Sequence, residues 1–424
     1  MHKQNHSIKG INVYGYLNEL SGLSESARSN IKSLLSIGVK LNIKSFSYDN
    51  TANDYKHAIS SNEEFAINLV HININFIEKF IDDVGTDFLK NKYNIAYWAW
   101  EFSEPPLDIA TYLSLFDEIW VPSDFCVNAF TKMATIPVIK IPHAIPNRKE
   151  LITHSLNPEN NKKSFTFLTV FDSLSSVERK NPQATVKAFI KAFSKDTSVK
   201  LIIKTHNLKR FKNMYAYFLN ITKRHENITL INEKISSKEL ASLYNLSDAY
   251  ISLHRSEGFG LTLAEAMSYG KITIATGFSG SLEFMNINNS FLLPYSIIET
   301  TQDYGLTKKG YQFADVDIDE AVKTMQYIVN NYDMLNDKRV KAKETIQSKY
   351  SFENIGSLMK NRLLLIEKNI VNGINEKNIE KEKIIMKLTS EKNNLNREIE
   401  ELSRKIKKYE KNIFIKIKKL IKKL

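Results

Sequence analysis

Cysteine is almost absent from this sequence, which has a single one, Cys126, among 424 residues. One cysteine excludes an internal disulfide and any metal site built from a cysteine cluster, and it fits a reducing compartment. Long hydrophobic runs are absent as well, because no stretch of about 18 apolar residues occurs. The first residues also lack the charged-then-apolar pattern of a secretory signal. We therefore expect a cytoplasmic protein that does not span a membrane.

Acidic residues are scarce at the C-terminal end of the chain. Residues 401–424 contain ten Lys or Arg and two Glu, a balance of +8, whereas the whole chain carries +12. The other 400 residues therefore carry only +4 (12 − 8). Since the excess positive charge belongs to this tail, a basic nucleic-acid groove on the body of the protein is not predicted.

Strand-like and helix-like segments alternate in two series. The first series has predicted strands over residues 8–16, 39–46, 65–74, 93–100, 118–122 and 137–142. A polar stretch, residues 146–164, then separates it from a second series that starts at a strand over 165–170. Alternation of this kind predicts parallel, doubly wound α/β sheets. We expect an N-terminal Rossmann-like domain over residues 1–150 and a second one over 151–350.

The most informative segment is a strand–loop–helix–strand unit over residues 249–276. Glycines in its loop let backbone N–H groups approach a ligand closely, and the helix N-terminus favours an anion such as a phosphate. A carboxylate about one turn inside such a helix can accept hydrogen bonds from vicinal hydroxyls, as acidic residues do for ribose in dinucleotide folds. The alternative is an ordinary βα turn with solvated glutamates. The positions concerned are Glu257, Gly258, Phe259, Gly260, Leu261 and Glu265.

This Glu-x7-Glu spacing, with Gly-Phe-Gly-Leu after the first Glu, resembles the signature of family-4 retaining glycosyltransferases. The resemblance covers about residues 10–365 and implies the GT-B fold, in which two Rossmann-like domains face a cleft. A helix near residues 352–365, within a segment 351–369, would cross back to the first domain. Glu257 would hold hydroxyls of the transferred sugar and act at the reaction centre, and Glu265 would hold the ribose. Transfer would be front-face, with retention at the anomeric carbon.

Cations are needed to neutralise a diphosphate leaving group when no metal does so. In the family an Arg follows the first strand of the second domain and a Lys follows several residues later; Lys180 matches that Lys and is expected at the reaction centre. The Arg has no counterpart, and Arg179 or Arg255 is the candidate replacement. A solvated helix start at residues 179–180 is the alternative. Gly280 lies in a loop that resembles the one bordering the donor pocket.

The first domain contributes weaker signals. Gly15 and Gly22 resemble the family's glycine-bearing loop facing the sugar phosphates and acceptor, although a plain turn is the alternative. His71 stands where relatives place a catalytic histidine near the donor sugar, with a satisfied core histidine as the competing interpretation. Trp98 and Trp100 lie in a segment that resembles enzymes building bacterial surface polysaccharides. We expect one of these rings in the core and the other stacked on an acceptor sugar in the cleft.

The segment from residue 370 onward has a different pattern. Isoleucines and leucines recur at a seven-residue period, which predicts a coiled coil over residues 370–424 and hence a homo-oligomer or a partner protein. Residues 411–424 combine large apolar residues with six lysines. Such a segment suits a helix on the anionic inner face of a cell membrane, and a solvated end of the coiled coil is the alternative.

The sequence as a whole therefore indicates an α/β glycosyltransferase. The resemblance implies transfer of a hexose, with mannose from GDP-mannose favoured, to a glycan or lipid-linked acceptor in surface polysaccharide synthesis. No cofactor beyond the nucleotide-sugar substrate and no metal is expected, because no Asp-x-Asp motif ends a strand in the required context. Two rival interpretations are a non-catalytic GT-B-like scaffold subunit and a sugar-nucleotide epimerase.

Overall fold

The computed structural model describes residues 8–19, 21–46, 63–106, 109–147, 164–303, 309–373, 385–399 and 401–406. The predicted boundary between residues 150 and 151 lies outside these ranges, as does the basic end of the tail at 407–424.

Among the residues that the structure describes, the N-terminal half has six strands and four α-helices. The strands are β1 Ile11–Gly15, β2 Leu41–Ser45, β3 Ile67–His71, β4 Tyr93–Tyr97, β5 Glu118–Val121 and β6 Val138–Lys140. The helices are α1 Gly22–Ser36, α2 Ile74–Val84, α3 Ile109–Leu113 and α4 Asp124–Phe130. All six strands are parallel, in the order β2-β1-β3-β4-β5-β6. The strand order reverses between β1 and β3, which makes that place the topological switch point of the sheet.

The second half repeats this architecture. Its strands are β7 Phe165–Val170, β8 Val199–Thr205, β9 Ile228–Asn232, β10 Ala249–Ser252, β11 Ile272–Thr276 and β12 Phe291–Leu293. Its helices include α5 Val177–Lys180, α6 Pro182–Phe193, α7 Lys212–Arg224, α8 Ser237–Leu246 and α9 Leu261–Ser268. The parallel order β12-β11-β10-β7-β8-β9 places the switch point between β7 and β10. The prediction of two Rossmann-like α/β halves is confirmed.

The cores follow from this layering. The central strands β1, β3 and β11 are buried at every residue, as expected when helices cover both faces of a parallel sheet. All three tryptophans of the chain lie in the N-terminal half, and Trp98, Trp100 and Trp120 are among its largest fully buried side chains.

An antiparallel hairpin joins the two halves and was not predicted from the sequence. Its strands, β13 Tyr295–Glu299 and β14 Gln312–Val316, follow β12. Phe313 on β14 is fully buried and belongs to the hydrophobic cluster of the N-terminal half, with its ring 5.2 Å from that of Phe102. The hairpin therefore packs part of the second half into the core of the first.

The chain returns to the N-terminal half through its last helices. They are α10 Ile318–Asn330, α11 Asn336–Lys349 and α12 Phe352–Gly373. A Cβ on Gly356 of α12 would lie 2.2 Å from the carbonyl oxygen of Ser33, so α12 lies directly on α1. Arg362 of α12 also pairs with the fully buried Glu118 of β5. This is the crossover helix expected near residues 352–365, and it extends further than expected.

A terminal helix follows over residues 385–399 and 401–406. Ile385 at its start is buried and Leu388 packs against the cluster of the N-terminal half. By contrast, Leu395, Ile399, Leu402 and Ile406 are exposed. None of the described helices combines the length and apolar character needed to cross a membrane.

Candidate active site

The two switch points bring the carboxyl ends of strands from both halves to one place. In the N-terminal half β1 ends at Gly15 and β3 at His71, and β7 and β10 end at the corresponding edge of the second sheet. The starts of α1 and α9 face each other across this space, since a Cβ on Gly22 would lie 3.8 Å from Cδ1 of Leu261. Ligands of doubly wound sheets bind outside the carboxyl ends of strands at such points. The candidate site therefore lies between the halves.

The loop between β10 and α9 depends on its glycines. Gly260 is the residue before α9 and has φ 95°, a left-handed conformation that other residues rarely adopt. A Cβ on Gly280 would lie 2.2 Å from the carbonyl oxygen of Gly258, and the Gly280 N–H donates to the carbonyl of Glu257 at 2.8 Å. A Cβ on Gly258 would lie 3.0 Å from the carbonyl oxygen of Trp100. Backbone conformation at Gly260, and the close approach of other backbone atoms at Gly258 and Gly280, therefore favour glycine at all three positions.

The next residues of the loop also contact the N-terminal half. The Gly258 carbonyl accepts a hydrogen bond from Ser123 Oγ at 2.6 Å. The buried ring of Phe259 packs edge-on against His143, with the ring centres 5.0 Å apart. Because the Phe259 ring is enclosed by protein, a nucleotide-sugar donor would contact this residue through its backbone. Leu261, half-buried at the first position of α9, faces Gly22 at the start of α1.

Glu257 lies between two cations. Lys180 Nζ donates to its Oε1 at 2.5 Å, and Arg179 Nη1 is 3.3 Å from its Oε2. Although burial by itself raises the pKa of Glu257, Lys180 and Arg179 outweigh it and lower that pKa to about 2. Burial in turn lowers the pKa of Lys180, with Glu257 opposing. At neutral pH Glu257 is therefore ionised and suited to accept hydrogen bonds, not to donate a proton.

Arg179 supports this loop from within the protein. Its Nη1 donates to the carbonyl of Ser256 at 2.8 Å, and its Nη2 donates to Ser175 Oγ at 2.7 Å. It also forms an ion pair with Glu101 of the N-terminal half at 3.3 Å, and its side chain is 4% exposed. In this structure the guanidinium of Arg179 is enclosed by protein partners and connects Glu257 to the opposite half. Contact between Arg179 and the donor stays a prediction.

Arg255 is directed to the hairpin. Its Nε and Nη2 donate to Asp315 Oδ1 at 3.2 and 3.1 Å, and Nη1 is 3.6 Å from Glu178 Oε1. Arg255 therefore has two carboxylates beside it, and its role as replacement for the missing arginine of the family pattern stays a prediction. Within the predicted set of cations, Lys180 lies nearest to Glu257.

Glu265 lies on α9 and is buried. Its Oε2 accepts a hydrogen bond from the hydroxyl of Tyr244 on α8 at 3.1 Å. The ring of Tyr244 stacks on that of Tyr269, with the centres 5.1 Å apart, which fixes the direction of the hydroxyl. The ribose role of Glu265 stays a prediction, and Tyr244 is the residue that orients its carboxylate.

A cluster of buried polar side chains forms the N-terminal side of the site. His71 Nε2 contacts Asn30 Nδ2 at 3.1 Å and Ser26 Oγ at 3.2 Å, and Ser26 Oγ also contacts His143 Nδ1 at 2.7 Å. The His71 ring stacks on Tyr97 with centres 4.3 Å apart. Burial lowers the pKa of His71 and of His143 to about 3, so both rings are neutral at physiological pH. These are the contacts of a satisfied buried histidine, and a catalytic role for His71 stays a prediction.

The burial of Trp98 and Trp100 differs from what the sequence predicts. Trp98 is 0% and Trp100 1% exposed, and their Nε1 atoms donate to the carbonyls of Ile72 and Glu104. Neither ring reaches the cleft, so the prediction that one of them stacks on an acceptor sugar is wrong. The reason is local: each indole N–H finds a backbone acceptor, which allows complete burial. Only the Trp100 carbonyl contributes to the site, through its contact with Gly258.

The sequence did not single out Glu101, Ser26, Asn30 or Tyr244. Glu101 directly follows Trp100, and a charged residue after a buried strand end was an available signal. The other three lie on helices at ordinary polar positions, and only the fold brings them to the cleft. Within the described ranges, no group of three or more His, Cys, Asp or Glu side chains is arranged to hold a metal ion.

Comparison with known proteins gives one match to a family model. Residues 158–346 match the family model described as glycosyl transferases group 1. No curated protein matches the sequence.

Solved structures share the fold at low sequence identity. A Staphylococcus aureus TarM mutant, in complex with fondaparinux, alpha-GlcNAc-glycerol and UDP, aligns with a TM-score of 0.52 and 16% identity over 70% of this chain and 55% of TarM. This chain thus spans little more than half of TarM's length. Sucrose-phosphate synthase from Thermosynechococcus elongatus aligns with a TM-score of 0.59 and 11% identity over 86% of this chain and 100% of its own. HepE from Anabaena, in complex with UDP and glucose, gives a TM-score of 0.59 and 10% identity over 84% and 99%.

The family match covers the half that carries the Glu257 loop, and the likeness in fold extends over both halves. Together they show that the chain has the GT-B fold and that its second half is similar to the group 1 glycosyl transferases.

Proposed function

We propose that this protein is a retaining glycosyltransferase that moves a hexose from a nucleoside-diphosphate sugar to a glycan or lipid-linked glycan acceptor. The observation that carries the proposal is the arrangement around the start of α9. An ionised Glu257 with Lys180 beside it precedes the glycine-bearing turn, and Glu265 follows one turn into the helix. Two carboxylates and a cation around a helix N-terminus match the needs of an activated sugar, with its hydroxyls, its diphosphate and its ribose.

The roles follow from chemistry and position. The diphosphate would lie at the backbone N–H groups of the loop and the start of α9, where partial positive charge favours an anion. Lys180 would leave Glu257 for the phosphate as negative charge develops on it, which makes the cation more effective in the transition state than before it. Glu257 would then accept hydrogen bonds from hydroxyls of the sugar, and Glu265, oriented by Tyr244, from those of the ribose.

The reaction exchanges one bond at the anomeric carbon for another on the same face. The bond to the diphosphate oxygen breaks while the bond to the acceptor oxygen forms, and the acceptor proton passes to the departing phosphate. No protein carboxylate needs to become covalently attached to the sugar. The pKa of Glu257, about 2, supports its role as a hydrogen-bond acceptor and makes it a poor general acid at neutral pH.

The identity of the donor is a narrower part of the proposal. The resemblance to polysaccharide mannosyltransferases favours mannose from GDP-mannose, whereas the TarM and HepE structures contain UDP. The acceptor would be a growing surface polysaccharide. The lysine-rich residues 411–424 would then bring the enzyme to the inner face of the membrane, where a lipid-linked acceptor is found.

A panel of nucleotide-sugars tests the proposal. Thermal unfolding is measured with GDP-mannose, UDP-glucose and UDP-GlcNAc, because a donor at 100 times its Kd stabilises the folded state by about 2.7 kcal/mol. The best donor is then compared on the parent, on Glu265→Ala, and on Glu226→Ala, an exposed carboxylate of the same half. We expect weaker binding only for Glu265→Ala.

Product analysis separates the rivals. Transfer to an acceptor with retained anomeric configuration supports the proposal. A converted nucleotide-sugar would identify an epimerase, and the lack of stabilisation by any donor would identify a scaffold subunit. A Glu265→Ala variant that binds the donor as tightly as the parent would remove the ribose assignment.

A further inference from the structure

The terminal helix, residues 385–399 and 401–406, changes its environment along its length. Ile385 is 9% exposed and Leu388 packs on the cluster of the N-terminal half, and Lys392 forms an ion pair with Asp82 of α2. Beyond this anchored start the exposed apolar residues are Leu395 at 61%, Ile399 at 54%, Leu402 at 57% and Ile406 at 57%. An apolar row this exposed is unusual on the surface of a monomer.

The spacing of these four residues is that of a coiled-coil seam. Steps of four, three and four positions place Ile399 and Ile406 at a positions and Leu395 and Leu402 at d positions of one heptad frame. In parallel coiled coils, isoleucine at a positions with leucine at d positions favours a pair of helices. In the same frame Lys392 is an a residue, but Asp82 pairs with it, so the open seam begins at Leu395.

The charges beside the seam are compatible with a second copy of the same helix. In a parallel pair of helices, a g residue of one helix faces the e residue five positions later on the other helix. The pairs are Glu391 with Asn396 and Glu398 with Ser403, so no like charges meet. The next pair in the sequence, Lys405 with Glu410, has opposite charges.

We propose that two copies of this chain associate through a parallel, in-register coiled coil whose seam consists of Leu395, Ile399, Leu402 and Ile406. A parallel seam places each of these residues against its own counterpart, so one sequence supplies both sides. Since the helix start is fixed on the N-terminal half by Ile385 and Lys392, the coil would join the two molecules through those halves. The inference does not depend on the transferase reaction.

Oligomeric mass is the first measurement. Sedimentation velocity of the full chain at micromolar concentration is expected to give twice the monomer mass of 48.8 kDa. The double substitution Ile399→Glu with Leu402→Glu is expected to give the monomer. The matched control Arg397→Glu adds negative charge on the outer, f position of the same helix and is expected to remain a dimer. Far-UV circular dichroism checks that each variant is folded.

Cysteine cross-linking tests the orientation. Ile399→Cys and Leu402→Cys are each expected to form a disulfide-linked dimer under mild oxidation, because both positions face themselves across a parallel seam. Arg397→Cys is expected not to cross-link. The native Cys126 does not interfere, since it is fully buried and burial raises the pKa of its thiol to about 12. A monomeric parent, or a dimer that cross-links at neither Ile399→Cys nor Leu402→Cys, would overturn the proposal.

Discussion

Replacing Glu257 with glutamine is expected to destabilise the protein by a predictable amount. The substitution keeps the shape of the side chain but removes the charge between Lys180 and Arg179. The folded-state pKa of about 2 lies about 2.5 units below the ordinary value of 4.5, which corresponds to about 3 kcal/mol of stability. Truncation of a buried ion pair gives a similar cost, of about 3–5 kcal/mol.

The pH dependence has a definite sign. Because the folded-state pKa of Glu257 is lowered, its contribution is fully present above pH 4.5 and is lost as the pH falls toward 2. The difference between the parent and Glu257→Gln should therefore shrink from about 3 kcal/mol at pH 7 to about 2 kcal/mol at pH 3.5. If the pKa of Glu257 were the same in the folded and unfolded states, the difference in unfolding free energy between the parent and Glu257→Gln would not change with pH.

Urea unfolding at both pH values provides the measurement. Tryptophan fluorescence reports the N-terminal half, which holds all three tryptophans, and far-UV circular dichroism reports both halves. A double-mutant cycle with Lys180→Met should show a coupling of at least about 1 kcal/mol with Glu257→Gln. The exposed Glu226→Gln serves as control. Additive effects in the cycle, or a Glu257→Gln variant within about 0.5 kcal/mol of the parent at pH 7, would refute the ion-pair argument.

Three further outcomes are expected. Because His143 has a pKa of about 3 in the folded state, the unfolded state binds more protons below pH 6.5. Through this residue the free energy of unfolding of the parent should fall by up to about 1.4 kcal/mol for each pH unit below 6.5. Urea unfolding of His143→Gln should therefore show a weaker dependence of that free energy on pH. Gly280→Ala should lower the melting temperature by several degrees because its Cβ meets the backbone of the loop, whereas Gly22→Ala, whose Cβ meets only a side-chain methyl at 3.8 Å, should leave it within a degree or two. Arg362→Met should cost about 3 kcal/mol by leaving the carboxylate of Glu118 buried without its cation, a loss that the fluorescence-detected transition would show.

Much of the fold was readable from the sequence, because two series of βα units leave few alternatives. The hairpin of β13 and β14 was not. Four of the five residues of β13 are exposed, so this strand lacks the usual alternation of buried apolar and exposed polar residues. Its position is set by Phe313, which packs into the core of the other half, and a contact so distant in sequence leaves no local pattern.

The different surroundings of Arg179 and Lys180 are a second feature that the sequence did not predict. They are adjacent at the end of α5, a helix of only four residues. The residues that flank it, Ser176 with φ 60° and Asn181 with φ 47°, both have positive φ. The residue types alone did not reveal which of the two side chains turns inward. The enclosed residue is Arg179, which carries more donors in a fixed fork and so can hold several partners at once.

The glycines of the signature loop have a structural role that the sequence did not indicate. The sequence suggested that they let a ligand approach the backbone. In the structure Gly258 meets the Trp100 carbonyl and Gly280 meets Gly258, so both allow protein backbones to approach each other. The same contacts bring Glu257 within reach of Arg179 and, through it, of Glu101 on the opposite half. The residue types of the proposed nucleotide-sugar loop thus also hold the two halves in register. A substitution at Gly258 is expected to weaken interdomain packing even without a donor.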